Sequence, residues 1–205
     1  MVYYFVAGGY FMYPILILLV IGFGLAIERL WTLSRASVNT RKFLGRIKIA
    51  LEEGGVESAA AECEKTPGPV ASIFHAGLSR ANKGIEHVEK AITNAGSLEM
   101  AFLERGMTWL STVIVLAPML GFTGTVWGMV RAFDDIKKAN DIQPNIVAGG
   151  ISEALLTTLF GLIVAIIIQV FNNYFVTRID KLIIDMEESS MELIETLVEI
   201  EEKRK

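Results

Sequence analysis

A run of 36 residues, from 142 to 177, contains a single charged side chain, Glu153. Asp141 and Arg178 bound this run. A helix of about 20 apolar residues is enough to cross the ~30 Å hydrocarbon core of a bilayer. A carboxylate that faces lipid at the bilayer centre costs roughly 3 kcal/mol or more, so it normally faces protein or a water-filled path. The run therefore predicts a membrane span that carries a functional glutamate.

Two further charge-free runs, residues 1–27 and 107–130, bring the number of predicted membrane spans to three. The chain is 52% hydrophobic, as expected of a membrane protein. The first run lacks a basic start and ends in Glu28-Arg29 rather than at a small-residue cleavage site. We therefore interpret it as a retained anchor and not as a signal peptide.

Lysine and arginine are unevenly distributed along the chain. Residues 1–27 contain none, whereas residues 28–105 contain eleven. Cytoplasmic loops carry an excess of these residues. We therefore expect the N-terminus outside, the long first loop in the cytoplasm, the short second loop outside and the C-terminal tail in the cytoplasm.

The predicted fold class is an all-α membrane protein with three transmembrane helices, of which the second and third extend far into the cytoplasm. The parts are an N-terminal outer segment with the first transmembrane helix (1–35), a cytoplasmic helical region (36–105), a second transmembrane helix (106–133), a short periplasmic loop (134–143), a third transmembrane helix (144–177) and a cytoplasmic C-terminal helix (178–205).

Apolar residues at helical spacing predict the lengths of the helices. One continuous helix is expected over about 85–133 and another over about 144–202, which at 1.5 Å per residue are ~70 Å and ~90 Å long. In the cytoplasmic region, Gly54-Gly55 should end one helix. The Thr-Pro-Gly-Pro sequence at 66–69 should break the chain before a helix over about 70–80.

The second span contains several small residues and one proline. Gly124 and Gly128 form a small-xxx-small pair, and small residues let helix backbones approach closely. Gly121 extends the same pattern, and Pro118 can kink the helix. Thr125 places a hydroxyl inside the membrane. The alternative interpretation is that Thr125 bonds its own helix and that the glycines serve packing alone.

The third span places polar groups around Glu153. Thr157 lies four residues further on and shares its helix face, whereas Thr158 lies about 140° further round. Gly161 is another small residue for packing. The alternative is that Glu153 reaches water at the outer interface, but it lies nine residues past Pro144, or ~13 Å along a helix. That distance is long for a glutamate side chain.

No pattern typical of a nucleophile and base, a phosphate loop or a zinc site occurs in the sequence, so an enzyme is the least favoured class and no cofactor or metal is predicted. We interpret His75 and His87 as surface or packing residues and Cys63 as a small buried residue. Residues 182–202 contain eight acids and no base. This stretch is interpreted as a solvated helix face, with a cation-attracting vestibule as the alternative.

Three stretches of sequence resemble the MotA/TolQ/ExbB proton channel family, and most of all its ExbB biopolymer-transport branch. They are LGFTGTVWGM at 120–129, GISEAL at 150–155 followed by Thr158, and IERLW at 27–31. The resemblance covers about residues 10–180. One departure from the family pattern is Thr123, whose hydroxyl has no assigned role.

The resemblance implies a homopentameric ring around a central pore, in a bacterial inner membrane and in contact with lipid. The pore would hold two copies of a single-span partner similar to ExbD or TolR, whose membrane aspartate takes protons. Glu153, Thr125 and Thr158 match the family's pore glutamate and threonines, and Thr157 joins them as a candidate for the ion pathway. No nucleic-acid partner is implied.

The implied function is to use the proton motive force to energise a TonB-like, periplasm-spanning protein for outer-membrane uptake. Alternatives in the same class are a TolQ-like envelope-integrity motor and a gliding or secretion motor. The alternative in a different class is a non-conducting membrane scaffold. The sequence leaves the coupling ion (proton or sodium) and the cargo open.

Overall fold

The computed structural model describes residues 2–36, 40–139 and 144–204. These residues form seven α-helices and one short 3₁₀ turn, and no strand occurs among them. The elements are α1 (Val2–Ala7), α2 (Met12–Ala36), α3 (Thr40–Lys65), α4 (Pro69–Leu78), the 3₁₀ turn (Ala81–Lys83), α5 (Ile85–Glu104), α6 (Met107–Ala139) and α7 (Pro144–Arg204).

The described chain has three helices that are long and apolar enough to cross a membrane. Their apolar parts belong to α2, α6 and α7. The all-helical class and the three membrane-spanning segments that the sequence predicted are therefore confirmed. The chain divides into two compact units, one of Met1–Arg29 with Gly106–Tyr174 and the other of Leu30–Arg105 with Phe175–Lys205.

In the first unit, α2 contacts both α6 and α7. A Cβ atom added at Gly22 of α2 would lie 2.8 Å from Ile168 of α7 and 3.3 Å from Val113 of α6. The rings of Phe23 and Phe171 meet edge to face, with centroids 5.9 Å apart. The missing side chain at Gly22 lets the three apolar helices pack closely, as small residues do in membrane bundles.

The second unit has an apolar core formed by α3, α4 and α5. Phe43 and Phe74 are both fully buried, with ring centroids 5.5 Å apart. A Cβ atom at Gly77 of α4 would lie 2.7 Å from Ile92 of α5, so these helices also approach closely. Apolar residues at helical spacing, such as Ile47 of α3 and Val88 of α5, are buried in this core.

The acidic C-terminal part of α7 belongs to the second unit and contacts α3 there. Lys48 Nζ lies 2.6 Å from Glu192 Oε1. The hydrogen bond to Glu192 is the largest cause that raises the pKa of Lys48. Both side chains are more than 40% exposed, so the pair is worth little in stability. The acidic residues around it are mostly exposed, as expected of a solvated face.

Glycine and proline set the helix boundaries of the second unit as predicted. A kink at Gly55, with φ 70°, divides α3 at the expected Gly54-Gly55 stop. Pro69 begins α4 after Gly68, whose φ is 129°. The long third helix is also confirmed, because α7 runs from Pro144 to Arg204 over 61 residues.

The prediction of one continuous helix over about 85–133 is wrong at one point. Helix α5 ends at Glu104 and α6 begins at Met107. Between them, Arg105 has an extended ψ of 131° and Gly106 has a φ of 83°. Glycine adopts a positive φ without a steric penalty, so the chain leaves the helix there and starts again. Helix α6 also continues to Ala139 instead of ending near residue 133.

Candidate ion-pathway site

Helices α6 and α7 pack through glycines on α6. A Cβ atom added at Gly121 would lie 2.9 Å from the Thr157 carbonyl oxygen, and one added at Gly124 would lie 2.6 Å from Thr157 Oγ1. One added at Gly128 would lie 3.1 Å from the Gly150 carbonyl oxygen. All three α6 glycines are buried. Each therefore touches α7 where a larger residue has no room, which is the small-residue packing that brings membrane helices together.

Gly161 of α7 makes the corresponding contact from the other side. Its added Cβ atom would lie 2.6 Å from the Ala117 carbonyl oxygen and 3.2 Å from the Gly121 Cα atom. Pro118, which follows Ala117, lies inside α6 and removes one backbone N–H donor from it. The glycines that the sequence singled out for packing thus lie in one continuous contact between the two helices.

The adjacent threonines Thr157 and Thr158 of α7 have different positions. Thr157 is 1% exposed, and its hydroxyl donates a 2.8 Å hydrogen bond to the Ala154 carbonyl of the same helix. Thr158 is half-buried, and its hydroxyl donates a 3.2 Å hydrogen bond across to the Gly121 carbonyl of α6. Thr157 therefore fills the space beside Gly124, whereas Thr158 links the two helices at the edge of their contact.

Two threonines of α6, Thr123 and Thr125, both bond their own helix. The Thr125 hydroxyl donates to the Phe122 carbonyl at 2.6 Å, and the Thr123 hydroxyl donates to the Met119 carbonyl at 2.8 Å. Thr125 is half-buried and Thr123 is exposed. Each hydroxyl oxygen keeps lone pairs that can accept a further hydrogen bond, so self-bonding leaves both groups able to contact water or a partner helix.

Glu153 pairs with a residue that the sequence analysis did not connect to it. Arg131 Nη1 lies 3.3 Å and 3.4 Å from the two carboxylate oxygens of Glu153. The Glu153 side chain is 17% exposed and that of Arg131 is 52% exposed. Gly9, in the turn between α1 and α2, covers the carboxylate from another side, because a Cβ atom there would overlap Glu153 Oε1.

The structure divides the predicted pathway residues into two groups. Thr158 lies at the Gly121 carbonyl, and Thr125 lies one turn further along α6. Glu153 instead contacts Arg131 and the Gly9 turn, while each threonine hydroxyl donates a hydrogen bond to a backbone carbonyl. The sequence signal for Arg131 was weak, because its contact with Glu153 depends on how α6 and α7 align.

The wall between these polar groups is apolar. Leu155, Leu159 and Val126 are each more than half exposed in the single chain. Such large exposed apolar surfaces indicate contact with lipid or with other protein helices.

The described residues contain no group of three or more His, Cys, Asp or Glu side chains that could hold a metal ion. His75 Nε2 lies 3.3 Å from Glu64 Oε1, and His87 is exposed. Cys63 is buried in α3, and burial, followed by the nearby Glu62, raises the pKa of its thiol to about 12. The expected position of Cys63 as a small buried residue is confirmed.

Three helices that are long and apolar enough to cross a membrane, with hydroxyl groups and a carboxylate near their contacts, define a helical membrane protein. Residues 65–188 match the model of the MotA/TolQ/ExbB proton channel family. The chain belongs to this family, which confirms the resemblance inferred from the sequence motifs.

Several relatives carry the names of two branches of the family. The chain is 35% identical over 175 residues to an ExbB homolog from Methanothermobacter thermautotrophicus. This match covers 85% of this chain and 62% of that protein. It is 37% identical over 128 residues to the biopolymer transport protein ExbB of Xanthomonas campestris pv. campestris, with coverages of 62% and 47%. It is 38% identical over 82 residues to the Tol-Pal system protein TolQ of Haemophilus influenzae, with coverages of 40% and 36%. The chain thus spans less than two thirds of the length of these three relatives.

Proposed function

We propose that this protein is the channel and motor subunit of an ExbB–ExbD-type complex, which uses the proton motive force to energise a TonB-like partner for outer-membrane uptake. The observation that carries the proposal is the position of Glu153. It is the single charge in its span, and its side chain is only 17% exposed. A family member with a carboxylate held inside its helix bundle has the kind of group that marks ion pathways in membranes.

In the proposed complex, five copies surround one central path that holds two copies of an ExbD- or TolR-like single-span partner. Polar groups avoid lipid, and copies around an axis create one shared polar interior for Glu153, Thr125 and Thr158. Thr157 supports the path indirectly, since it is buried against Gly124.

The apolar wall of the path suits this arrangement. Leu155, Leu159 and Val126 offer an apolar surface to a single apolar partner helix and resist bulk water. A membrane carboxylate of the partner then takes the protons, and the residues of this chain complete its surroundings.

The proposed complex lies in the bacterial inner membrane, with the N-terminus in the periplasm and the C-terminus in the cytoplasm. The eleven lysines and arginines between residues 28 and 105 support this orientation. A TolQ-like role in envelope integrity is the second candidate, because the similarity extends to a TolQ protein.

The proposal is tested by expressing the protein with its genetic neighbours and purifying the complex. Native mass spectrometry should give five copies of this chain with two copies of a single-span partner. In proteoliposomes, the complex should take up protons under an applied membrane potential, and replacement of sodium by choline should leave the uptake unchanged. An intact complex that moves no protons would contradict the proposal and favour a non-conducting scaffold.

A further inference from the structure

We propose that Arg131 is the positioning residue for Glu153, and that it holds the carboxylate ionised and fixed in direction. Glu153 would then act as a fixed negative charge beside the ion path, while protons are carried by another group. The inference rests on the proposed function and assigns to Arg131 a role within the same site.

The first argument is the geometry of the pair. One guanidinium nitrogen, Arg131 Nη1, lies between the two carboxylate oxygens of Glu153 at 3.3 Å and 3.4 Å. Arg131 lies eight residues before the end of α6 at Ala139, and Glu153 lies nine residues after the start of α7 at Pro144. At 1.5 Å per residue these distances are ~12 Å and ~13 Å, so the two residues lie at the same level below the helix ends.

The second argument is that small residues next to the pair fix the alignment of the helices. Ala132 follows Arg131 and Ala154 follows Glu153, and both alanines are at most 5% exposed. A Cβ atom at Gly128, one turn before Arg131, would lie 3.1 Å from the Ala154 backbone nitrogen. Because the helix backbones are in contact on this side, the pair has little freedom to slide apart.

The third argument is the cover over the carboxylate. Gly9 has a φ of 69°, which favours glycine, and any Cβ atom there would overlap Glu153 Oε1. The chain therefore places bare backbone directly against the carboxylate. The guanidinium is the more exposed partner, so the accessible side of the ion pair is that of Arg131.

The fourth argument is the distribution of charge. Residues 1–27, which include the Gly9 turn, contain no acidic or basic side chain, so Arg131 is the charged group that faces Glu153 among the described contacts. Asp134 and Asp135, one turn further along α6, are the nearest competing acids on that helix and are exposed. A carboxylate held largely inside a helix bundle is costly without a partner, and the nearby guanidinium balances its charge.

The experiment compares single and paired substitutions in the purified complex. Arg131→Gln should reduce proton uptake about tenfold, because Glu153 then lacks the partner that holds its charge and its direction. Arg131→Lys should keep most of the uptake, because its ammonium group can still pair with the Glu153 carboxylate. Lys138→Gln is the control, since it removes one cation from the exposed end of α6 and should have no effect.

Infrared spectroscopy reads the charge of Glu153 without depending on transport. In the wild-type complex at neutral pH, the Glu153 side chain should give no protonated-carboxyl band. Arg131→Gln should produce such a band, and Glu153→Gln added to Arg131→Gln should remove it. A protonated Glu153 band in the wild-type complex, or none in assembled Arg131→Gln, would overturn the inference.

The two proposals can fail separately. A wild-type complex that moves no protons contradicts the proposed function, while the infrared bands still decide the role of Arg131. If Arg131→Gln does not assemble, Arg131→Lys decides instead. Retained uptake without a protonated Glu153 band supports an ionic contact, and a protonated Glu153 band in assembled Arg131→Lys overturns it.

Discussion

Gly161 of α7 lies against the backbone carbonyl of Ala117 in α6, so closely that a Cβ atom added at Gly161 would lie 2.6 Å from that oxygen. Gly149, twelve residues earlier in the same helix, has no atom within 4 Å of its added Cβ position. The two glycines therefore provide a matched test of helix packing within one helix.

Gly161→Ala should destabilise the protein by about 1–3 kcal/mol, because the added methyl group must push the helices apart. Gly149→Ala should be neutral or should stabilise by up to about 1 kcal/mol, since alanine favours the helix more than glycine does. Thermal melting in detergent, followed by size-exclusion chromatography, measures both effects. Equal stability of the two variants would show that the α6–α7 contact tolerates a larger residue.

Gly128→Leu is the stronger version of the test and should prevent recovery of the intact oligomer.

Glu153→Ala should abolish proton uptake while leaving assembly largely intact, because it removes a charge rather than a packing group. Glu153→Gln keeps the shape and the hydrogen bonds but lacks the charge, so it should also lose most of the uptake. Proteoliposome uptake and native mass spectrometry measure activity and assembly side by side. Full uptake in Glu153→Ala would exclude Glu153 from the pathway.

Phe74→Ala should lower the stability of the second unit by about 3–5 kcal/mol, the usual effect of removing a buried aromatic side chain. Phe74 is 0% exposed, and its ring packs against that of Phe43 at a tilt of 44°. Leu98→Ala is the control, since Leu98 is 74% exposed and should change little unless it contacts another subunit. Limited proteolysis during a thermal ramp, with sites in α3 to α5 identified by mass spectrometry, reports this unit. If Phe74→Ala resists proteolysis as well as the wild type does, Phe74 is not part of the core of this unit.

Cys63 should react slowly with a maleimide at pH 8 in the folded protein and rapidly after denaturation in detergent. The thiol is buried, and its pKa is raised from the ordinary 9.0 to about 12, so little reactive thiolate is present. Ala61→Cys in a Cys63→Ala background is the control, because position 61 is exposed on the same helix and should be labelled quickly. Equal labelling rates at the two positions would contradict the burial of Cys63.

The same thiol makes the stability of the protein depend on pH in one direction. Above pH 9 the unfolded chain releases the Cys63 proton while the folded chain retains it, so stability falls as the pH rises from 9 toward 12. Cys63→Ala should flatten this part of the profile in thermal melts. An unchanged profile would show that other groups cause the alkaline loss.

The sequence predicted features that depend on local chemistry. Pro69 and Pro144 begin helices, and Gly55 interrupts one, because proline and glycine restrict or free the backbone wherever they occur. The glycines of α6 could also be assigned to packing, since small residues at this spacing have few other uses in a membrane helix.

Features that depend on tertiary alignment were not predicted. A lone glycine inside an apolar helical pattern gives no local sign that the helix stops, so the break at Gly106 was missed. Arg131 lies inside the predicted second span, but its contact with Glu153 depends on the backbone contact of α6 with α7, which has no local signal in the sequence. Gly9 and Glu153 are 144 residues apart, and only the fold brings them together.

The glycine contact between α6 and α7 also limits how this protein can move. Interlocking side chains can exchange one set of rotamers for another and so let two helices slide. A contact between a Cα atom and a carbonyl oxygen involves no side-chain rotamers. The two helices therefore cannot change their alignment by exchanging rotamers at this contact. Helices α6 and α7 should therefore move as one piece, and a motion that accompanies ion flow must occur where this pair meets its neighbours.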